Sequence, residues 1–291
     1  MKIDILKVNA FTDKIDGGNP AGIVFDSPDL TDKQMTNISK TLKVSETAFL
    51  FPSDNADFKT RFFSPEMEVD LCGHATIATF FTMGLKDYFP KNKSIVVTQE
   101  TKAGILPVEI VFSDDGNVKR VMMTQAKSEL RDIYLDISEL ADSLKIAPVE
   151  IDDSLPAQAV SSGLFTLPIC IKSFNTLKSI TPDFKKITEI CKKHDLGSFH
   201  LFTFETLELN SVYHARNFAP LYAVNEDPVT GTANGAVCSY LLKNKIRTCE
   251  NWVCEQGDIM GRSGRVFVNI KNDVVKVGGI AKIVDEIKIE I

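Results

Sequence analysis

Two stretches of the chain lack charged residues over a length that suits a helix of about four turns. The first is LCGHATIATFFTMGL, from Leu71 to Leu85, and the second is VTGTANGAVCSYLL, from Val229 to Leu242. Neither contains an aspartate, glutamate, lysine or arginine. Because a helix without a charged face is buried, the pattern predicts two enclosed helices.

An amphipathic segment lies upstream of each of these stretches. Thr31 with Gln34 three residues later forms a capping-box pattern, and Thr181 as N-cap followed by Pro182 is typical of a second helix start. The apolar residues at helical spacing are Met35, Ile38 and Leu42 in the first segment, and Phe184, Ile187 and Ile190 in the second. The sequence therefore predicts two surface helices with one buried face each.

The chain also contains an internal repeat. RFFSP, starting at Arg61, recurs as RNFAP, starting at Arg216, and the strand-like AFLF ending at Phe51 recurs as FHLF ending at Phe202. With the amphipathic segments, these are three landmarks in the same order, offset by about 150 residues. We interpret the protein as pseudo-duplicated.

The remaining sequence is mostly strand-like, with runs rich in Val, Ile and Phe bounded by Gly, Pro, Asn and Asp. The runs are VNAFTD, AGIVF, SIVVTQ, ILPVEIVF, LPICIKSF, RVFVNI and VVKVGGIAKIV. A curved sheet wrapped around each apolar helix buries these elements most simply, which favours a mixed α+β fold over a doubly wound parallel sheet. We expect two lobes and a ligand site in the cleft between them.

Composition and charge narrow the function class. The 291 residues are 44% hydrophobic and 25% charged, as in packed globular proteins. A formal net charge of -6 without a basic run argues against nucleic-acid binding. No stretch has the length of a signal peptide core or a membrane span, so a cytoplasmic protein without membrane association is expected.

The cysteines and histidines show no metal-ligand spacing. Six cysteines are scattered without a CxxC pair, and four histidines form no HExxH pattern. We therefore expect free thiols and no metal site.

One residue breaks the repeat in a way that indicates a catalytic role. Glu46 of VSETAFLF aligns with Gly197 of DLGSFHLF, so only the first copy carries a carboxylate there. A carboxylate among apolar neighbours is suited to general acid/base work. Ser45 and Thr47 are short hydroxyl residues placed to orient it. The alternative is a solvated carboxylate at a helix-to-strand corner.

The starts of the two apolar helices are candidate anion sites. CGHAT and GTANGA place small residues where backbone N–H groups can bind a carboxylate. His74 is either a packed N-terminal residue or a proton-handling group. Glu226 and Asp227 either cap the second helix or bind a substrate amine or hydroxyl, and both cannot cap alike.

The cysteines raise the alternative of a racemase that uses one thiol from each lobe as its two bases. Cys72 precedes the first helix start, where a thiolate is stabilised. The second start offers Thr230, Gly231 and Thr232 instead, and Cys238 lies about two turns inside its helix. A symmetric two-thiol mechanism therefore lacks its partner.

Several motifs in order resemble the phenazine-biosynthesis PhzF-like family. They are VNAFTD…GGNPAGIV, VSETAFLF, RFFSPEMEVDLCGHATIA, RNFAP…EDPVTGTANGA and EQGDIMGRSGRVFV. They span Val8 to about Val277, and CGHAT with EDPVTG is a specific combination.

The resemblance implies the diaminopimelate epimerase-like fold, with two similar lobes, each a sheet or barrel curled around a central helix, in a homodimer. We place the N-terminal lobe at residues 1–122, completed by 280–291, and the C-terminal lobe at residues 123–279.

The resemblance also implies a cofactor-free isomerase similar to trans-2,3-dihydro-3-hydroxyanthranilate isomerase. Glu46 then matches the glutamate that moves a proton between ring carbons, His74 the histidine of CGHAT, and Asp227 the aspartate of EDP. Thr232 replaces the family's usual Ser.

We therefore predict proton transfer on a small carboxylate by Glu46, with His74 and Asp227 orienting or relaying and Gly73, Ala75, Gly231 and Thr232 near the anion. No cofactor is expected, because a carboxylate and preorganised donors can stabilise an enol-like transition state. A one-base epimerase or tautomerase of an amino-acid derivative and a non-catalytic carboxylate-binding protein are the alternatives.

Overall fold

The computed structural model of the chain describes residues 2–27, 30–91 and 94–290. Strands dominate this part of the chain. They are β1 (Lys2–Ala10), β2 (Asn19–Val24), β3 (Glu46–Phe51), β4 (Phe58–Phe63), β5 (Glu68–Val69), β6 (Ser94–Thr101), β7 (Gly104–Phe112), β8 (Val118–Thr124), β9 (Glu129–Asp132), β10 (Gln158–Ser161), β11 (Phe165–Cys170), β12 (Ser198–Thr203), β13 (Tyr213–Ala219), β14 (Val224–Asp227), β15 (Asn251–Gln256), β16 (Gly264–Lys271), β17 (Val274–Gly279) and β18 (Ala281–Glu290).

The same described residues contain six α-helices and three short 3-10 turns. The helices are α1 (Asp32–Leu42), α2 (Gly73–Leu85), α3 (Ile137–Leu144), α4 (Phe174–Ser179), α5 (Phe184–His194) and α6 (Gly231–Lys243), and the turns are Pro148–Glu150, Pro220–Tyr222 and Asp258–Met260. No helix within residues 2–27, 30–91 and 94–290 is long and apolar enough to span a membrane.

The chain divides into two compact units. The first unit runs up to Thr124 and resumes at Gly278, and the second unit is Gln125–Val277. The strand β18 belongs to the first unit, where it pairs antiparallel with β1 from Lys2↔Glu290 to Ala10↔Ala281. Met1 and Ile291, the end residues of the lobe expected from the sequence, lie outside the described residues.

In the first unit, the strands follow the order β18, β1, β2, β3, β4, β6, β7, β8. The pairs β2–β3 and β4–β6 are parallel, and the other neighbours are antiparallel. The short strand β5 forms a hairpin with β4. The helix α2 packs against β1, β2, β3, β7, β8 and β18, and residues 75–84 of this helix are buried. A curled sheet therefore encloses an apolar helix.

The second unit repeats this connectivity. Its strands follow the order β9, β10, β11, β12, β13, β15, β16, with parallel pairs β11–β12 and β13–β15, and β14 forms a hairpin with β13. The helix α6 packs against β10, β11, β12 and β16. The same alternation of parallel and antiparallel pairs in both units confirms the predicted duplication and the mixed α+β fold.

The sequence patterns predicted the start of one surface helix correctly and misplaced the start of the other. Thr31 and Gln34 form the predicted capping box of α1. The predicted N-cap Thr181 is wrong, because α5 begins at Phe184 and the Asp183 carboxylate accepts from the N–H groups of its first turn. A carboxylate next to the helix is the stronger cap. The strand-like run that ends at Phe174 includes the start of α4.

Each unit fixes the chain before its buried helix with an arginine. Arg61 of β4 donates two hydrogen bonds to the Glu68 carboxylate of β5, at 2.7 and 2.9 Å. Arg216 of β13 donates two, both at 2.8 Å, to Glu226 of β14. These bidentate pairs occupy equivalent hairpins and fix the segment that leads into α2 or α6. The hydrogen bond from Arg61 lowers the pKa of Glu68.

The arginine of the second unit is the more deeply embedded of the two. Besides Glu226, Arg216 donates to the carbonyl oxygens of Leu177 and Ile180, at 3.0 and 2.9 Å. Arg216 is only 7% exposed. We predict that Arg216→Met lowers the free energy of unfolding by about 3 kcal/mol, because it leaves a partly buried carboxylate without its partner. Denaturant titration measures this loss.

The control for this prediction is Lys288→Met, which breaks an exposed ion pair with Asp4. Such a pair contributes at most about 1 kcal/mol. Similar losses for the two variants would contradict the structural role of Arg216.

Candidate functional site

Glu46 lies at the first position of β3, beside Ala21 of the parallel strand β2. Its side chain is partly exposed, with 24% of its surface accessible. The equivalent position in the second unit is Gly197, where a Cβ would collide with the Leu164 side chain. The second unit therefore has a leucine in the space that an acidic side chain would need.

His74 brings the start of α2 to this carboxylate. Its Nε2 lies 3.4 Å from Glu46 Oε2 and 3.3 Å from Ser45 Oγ. Its Nδ1 lies 3.4 Å from Cys72 Sγ. Four side chains from two segments of the first unit thus meet at one end of the buried helix.

This arrangement can hold and move a proton. With its proton on Nε2, His74 donates to Glu46 and accepts from the Cys72 thiol at Nδ1. The imidazole then orients the carboxylate and connects it to a second proton-bearing group. Of the two interpretations of His74, the proton-handling role fits these contacts.

The two hydroxyl residues beside Glu46 have different positions. Ser45 contacts His74, as described above. Thr47 is fully buried on the opposite face of β3, where its Oγ1 lies 2.7 Å from the position that a Cβ would occupy on Gly22. Ser45 therefore acts on the histidine, and Thr47 is a packing residue.

The N-termini of the α-helices in the described residues are of two kinds, with and without a side-chain cap. The N-caps of α1, α3, α4 and α5 accept hydrogen bonds with their side chains; they are Thr31, Asp136, Ser173 and Asp183. The N-caps of the two buried helices, Cys72 and Thr230, make no such hydrogen bond. The first N–H groups of a helix have no intrahelical partner, so these two starts can accept an anion.

The predicted anion-binding residues at the first start are of two kinds. A Cβ on Gly73 would meet no atom within 4 Å, so the space in front of this residue is open. Ala75 is fully buried, so its methyl group packs in the core and only its backbone faces the helix end. At Gly73 and Ala75, backbone atoms rather than side chains therefore face an incoming anion.

In the second unit, the two neighbouring carboxylates, Glu226 and Asp227, have different hydrogen-bond partners. Glu226 is bound by Arg216, whereas Asp227 accepts a hydrogen bond from Thr230 Oγ1 at the start of α6. Glu226 is therefore structural, and Asp227 lies at the helix start with Gly231 and Thr232. The Thr232 methyl group lies 3.8 Å from the position that a Cβ would occupy on Gly163.

Gln256 fixes this helix start and was missed by the sequence analysis. Its side-chain oxygen accepts from Thr230 N–H at 3.1 Å and from Asn234 Nδ2 at 2.8 Å. Its Nε2 donates to the Asp227 carbonyl oxygen at 2.9 Å. Gln256 is 1% exposed, and nothing in the local sequence of β15, NWVCEQ, marks it as a buried residue.

The preceding residue of β15 anchors that strand. The buried Glu255 carboxylate accepts from His214 Nδ1 at 2.9 Å and from the N–H groups of Leu207 and Glu208. Burial alone would raise the pKa of Glu255, but these hydrogen bonds outweigh it and lower the pKa to about 2. This is a structural carboxylate, ionised at neutral pH.

All six cysteines lie in the described part of the chain, where they are free thiols. Cys238 is fully buried in α6, with its Sγ 3.5 Å from Cys254 Sγ. Burial raises the pKa of the Cys238 thiol well above its usual value. Cys238 is thus a core residue, and a second catalytic thiol at this position has no support.

The comparison with protein families matches this architecture. A family profile described as "Phenazine biosynthesis-like protein", PhzC-PhzF, covers residues 8–286. The chain belongs to the PhzC-PhzF family.

Among relatives of this PhzC-PhzF chain is the "Uncharacterized isomerase YfhB" of Bacillus subtilis, 34% identical over 96% of this chain and 93% of the relative. A crystal structure of the Bacillus anthracis phenazine biosynthesis protein of the PhzF family superposes with a TM-score of 0.91 at 30% identity, over 100% of both chains.

A probable proline racemase from Agrobacterium radiobacter is similar in fold, with a TM-score of 0.65 at 12% identity over 99% of this chain and 93% of that one. Together these likenesses confirm the diaminopimelate epimerase-like fold.

The open space at Gly73 allows a substitution that should change the affinity for ligand without lowering the stability of the protein. In Gly73→Ala, the added methyl group occupies the space in front of the first N–H groups of α2. Affinity for small carboxylic acids should fall at least about tenfold, since hydrogen bonds to a charged group are lost. The free energy of unfolding should be unchanged or higher by up to about 1 kcal/mol.

Gly84→Ala in the same helix is the matched control, because its Cβ would collide with the Val118 side chain. It should destabilise the protein by about 1–3 kcal/mol through overpacking and leave affinity intact in the folded fraction. Thermal shift with a carboxylic acid panel measures both effects. Undiminished affinity in Gly73→Ala would contradict anion binding at this start.

Proposed function

We propose that this PhzC-PhzF family protein is an isomerase that moves a proton between carbon atoms of a small carboxylate substrate without a cofactor. The observation that carries the proposal is the Glu46–His74 pair at a helix start without a side-chain cap. It combines a general acid/base and an anion-binding element in one place. The name "Uncharacterized isomerase" of the Bacillus subtilis relative supports the same reaction class.

The proposed reaction uses Glu46 twice. Its carboxylate removes a proton from one carbon of the substrate, and the electron pair of the broken C–H bond enters an enol-like intermediate. The resulting carboxylic acid then returns the proton to another carbon. The N–H groups at Gly73, His74 and Ala75 bind the substrate carboxylate, while the His74 imidazole orients Glu46.

The second unit has a matching role in the proposal. The Asp227 carboxylate accepts a hydrogen bond from Thr230, and its backbone carbonyl accepts one from Gln256. These bonds preorganise the carboxylate to accept a hydrogen bond from a substrate amine or hydroxyl. Gly231 and Thr232 supply the free N–H groups of α6. The first substrate to examine is trans-2,3-dihydro-3-hydroxyanthranilate, which bears a carboxylate and both polar groups.

Hydrogen exchange tests the proposal. Wild-type protein is incubated in deuterated water with this compound and with small amino and hydroxy carboxylic acids, and carbon-bound deuterium is read by mass shift and proton NMR. We expect wild type to incorporate label and Glu46→Gln to do so at least about 100-fold more slowly, because the amide cannot accept the proton.

Glu66→Gln, an exposed carboxylate of the same unit, is the matched control and should exchange like wild type. Compounds that bind by thermal shift without any carbon exchange in wild type would contradict the isomerase and indicate a binding protein. Label that enters a stereocentre without forming a constitutional isomer would indicate an epimerase instead.

A further inference from the structure

Glu46, Cys72 and His74 together form a candidate metal site that the spacing of ligands in the sequence does not reveal. Each residue supplies one ligand atom, and the three atoms all lie within 4.8 Å of one another. Among the described residues, this is the one place where at least three such side chains converge. The histidine and cysteine come from the start of α2, and the carboxylate comes from β3.

The separations are close to those of a tetrahedral zinc site. With Zn–S of about 2.3 Å and Zn–N or Zn–O of about 2.0–2.1 Å, neighbouring ligand atoms lie about 3.3–3.6 Å apart. His74 Nε2 lies 3.8 Å from Cys72 Sγ and 3.4 Å from Glu46 Oε2. The sulfur and the carboxylate, within 4.8 Å, need to approach by at most about 1.3 Å to reach about 3.5 Å.

The donor set is one that Zn²⁺ prefers over the hard cations. A thiolate, an imidazole and a carboxylate combine soft, intermediate and hard ligands, and Mg²⁺ and Ca²⁺ take oxygen ligands almost alone. Cys72 does not use its side chain to cap α2, and the helix start stabilises its thiolate. A thiolate and a carboxylate carry two negative charges, which Zn²⁺ neutralises.

Two of the three residues are partly exposed, and Cys72 is buried, at 7% exposed. Glu46 and His74 keep 24% and 12% of their side-chain surfaces exposed. Beside them is the open space in front of Gly73. Three protein ligands leave the fourth position of a tetrahedral ion open to water or to a carboxylate.

We propose that Glu46, Cys72 and His74 bind Zn²⁺ reversibly. On binding, the Cys72 thiol proton passes to His74 Nδ1 and the Nε2 proton leaves to solvent, so that the sulfur and Nε2 become ligands with the net release of one proton. The ion occupies the Glu46 carboxylate, so bound zinc inhibits proton transfer. This last consequence rests on the proposed function, whereas the metal site itself does not.

The test uses Co²⁺ as a spectroscopic substitute for Zn²⁺ on the full chain after chelator treatment. A cobalt–thiolate bond gives a near-ultraviolet charge-transfer band, and four-coordinate cobalt gives intense visible bands. We expect both bands to appear with one equivalent of Co²⁺ and to disappear when Zn²⁺ is added. Absence of the charge-transfer band in wild type would overturn the proposal.

Variants locate the ion. Cys72→Ser should remove the charge-transfer band, and His74→Ala should weaken cobalt binding at least about tenfold. The matched control is Cys249→Ser, since Cys249 is the most exposed of the six thiols and lies far along the chain from this cluster. Loss of the band in Cys249→Ser, or its persistence in Cys72→Ser, would place the metal elsewhere and overturn the proposal.

The absorption result decides the metal site whether or not the protein exchanges carbon-bound protons, so failure of the site and failure of the proposed function are distinguishable. Where exchange is observed, saturating Zn²⁺ should lower its rate at least about tenfold, because a metal-bound carboxylate is a poor base. Unchanged exchange with zinc bound would overturn the inhibition.

Discussion

The two buried helices depend on an unusual condition at their N-termini. Each is apolar on all sides and enclosed by strands of its own unit, so its first N–H groups point out of a packed core. At the other four α-helices of the described residues a side chain accepts from such groups, but Cys72 and Thr230 leave them for another partner. An anion is the partner that free N–H groups and the helix dipole favour. The apolar helices require a sheet that encloses them, and in our proposal their uncapped starts bind the substrate.

The duplication separates structural from chemical residues. The arginine–glutamate pairs, Arg61 with Glu68 and Arg216 with Glu226, occur in both units and fix the same hairpin. Glu46 occurs once, and Leu164 takes up the corresponding space in the second unit. A feature retained in both copies serves the shared architecture, whereas a feature present in one copy is free to serve the reaction.

The cluster of Glu46, Cys72 and His74 at the start of α2 is suited both to proton transfer and to metal binding. The histidine that orients Glu46 also places a thiol and a carboxylate at distances suited to a metal ion. The carboxylate and imidazole that we propose to move a proton are also ligands that zinc uses. In our account, proton transfer and metal binding compete for the same Glu46 carboxylate.

Local sequence patterns predicted those elements whose structure depends on local chemistry. The two uncharged runs, the capping box at Thr31 and the repeated RFFSP and RNFAP segments correspond to the helices and strands observed. The cap of α5 was misplaced because the pattern was assigned to Thr181, whereas the helix starts two residues later, with Asp183 as its cap. Helices α3 and α4 were missed because short segments carry little periodicity.

Features that depend on distant parts of the chain could not be predicted in the same way. Gln256 reaches the start of α6 from a strand more than twenty residues later, and its burial has no local signature. The contact of Cys72 and His74 with Glu46 likewise depends on the packing of α2 against β3. The sequence placed both Ser45 and Thr47 beside Glu46, but only Ser45, just before β3, contacts His74. Thr47 is fully buried in the strand.

The most direct test of the central claim is a titration of the isotopically labelled protein with acetate, followed by backbone amide chemical shifts. We predict saturable shifts at the amides of Gly73, His74, Gly231 and Thr232, because their N–H groups bind the anion. The amides of Lys185 and Lys186, which Asp183 caps, should not shift. Equal shifts at capped and uncapped starts, or none at either buried helix, would contradict the account.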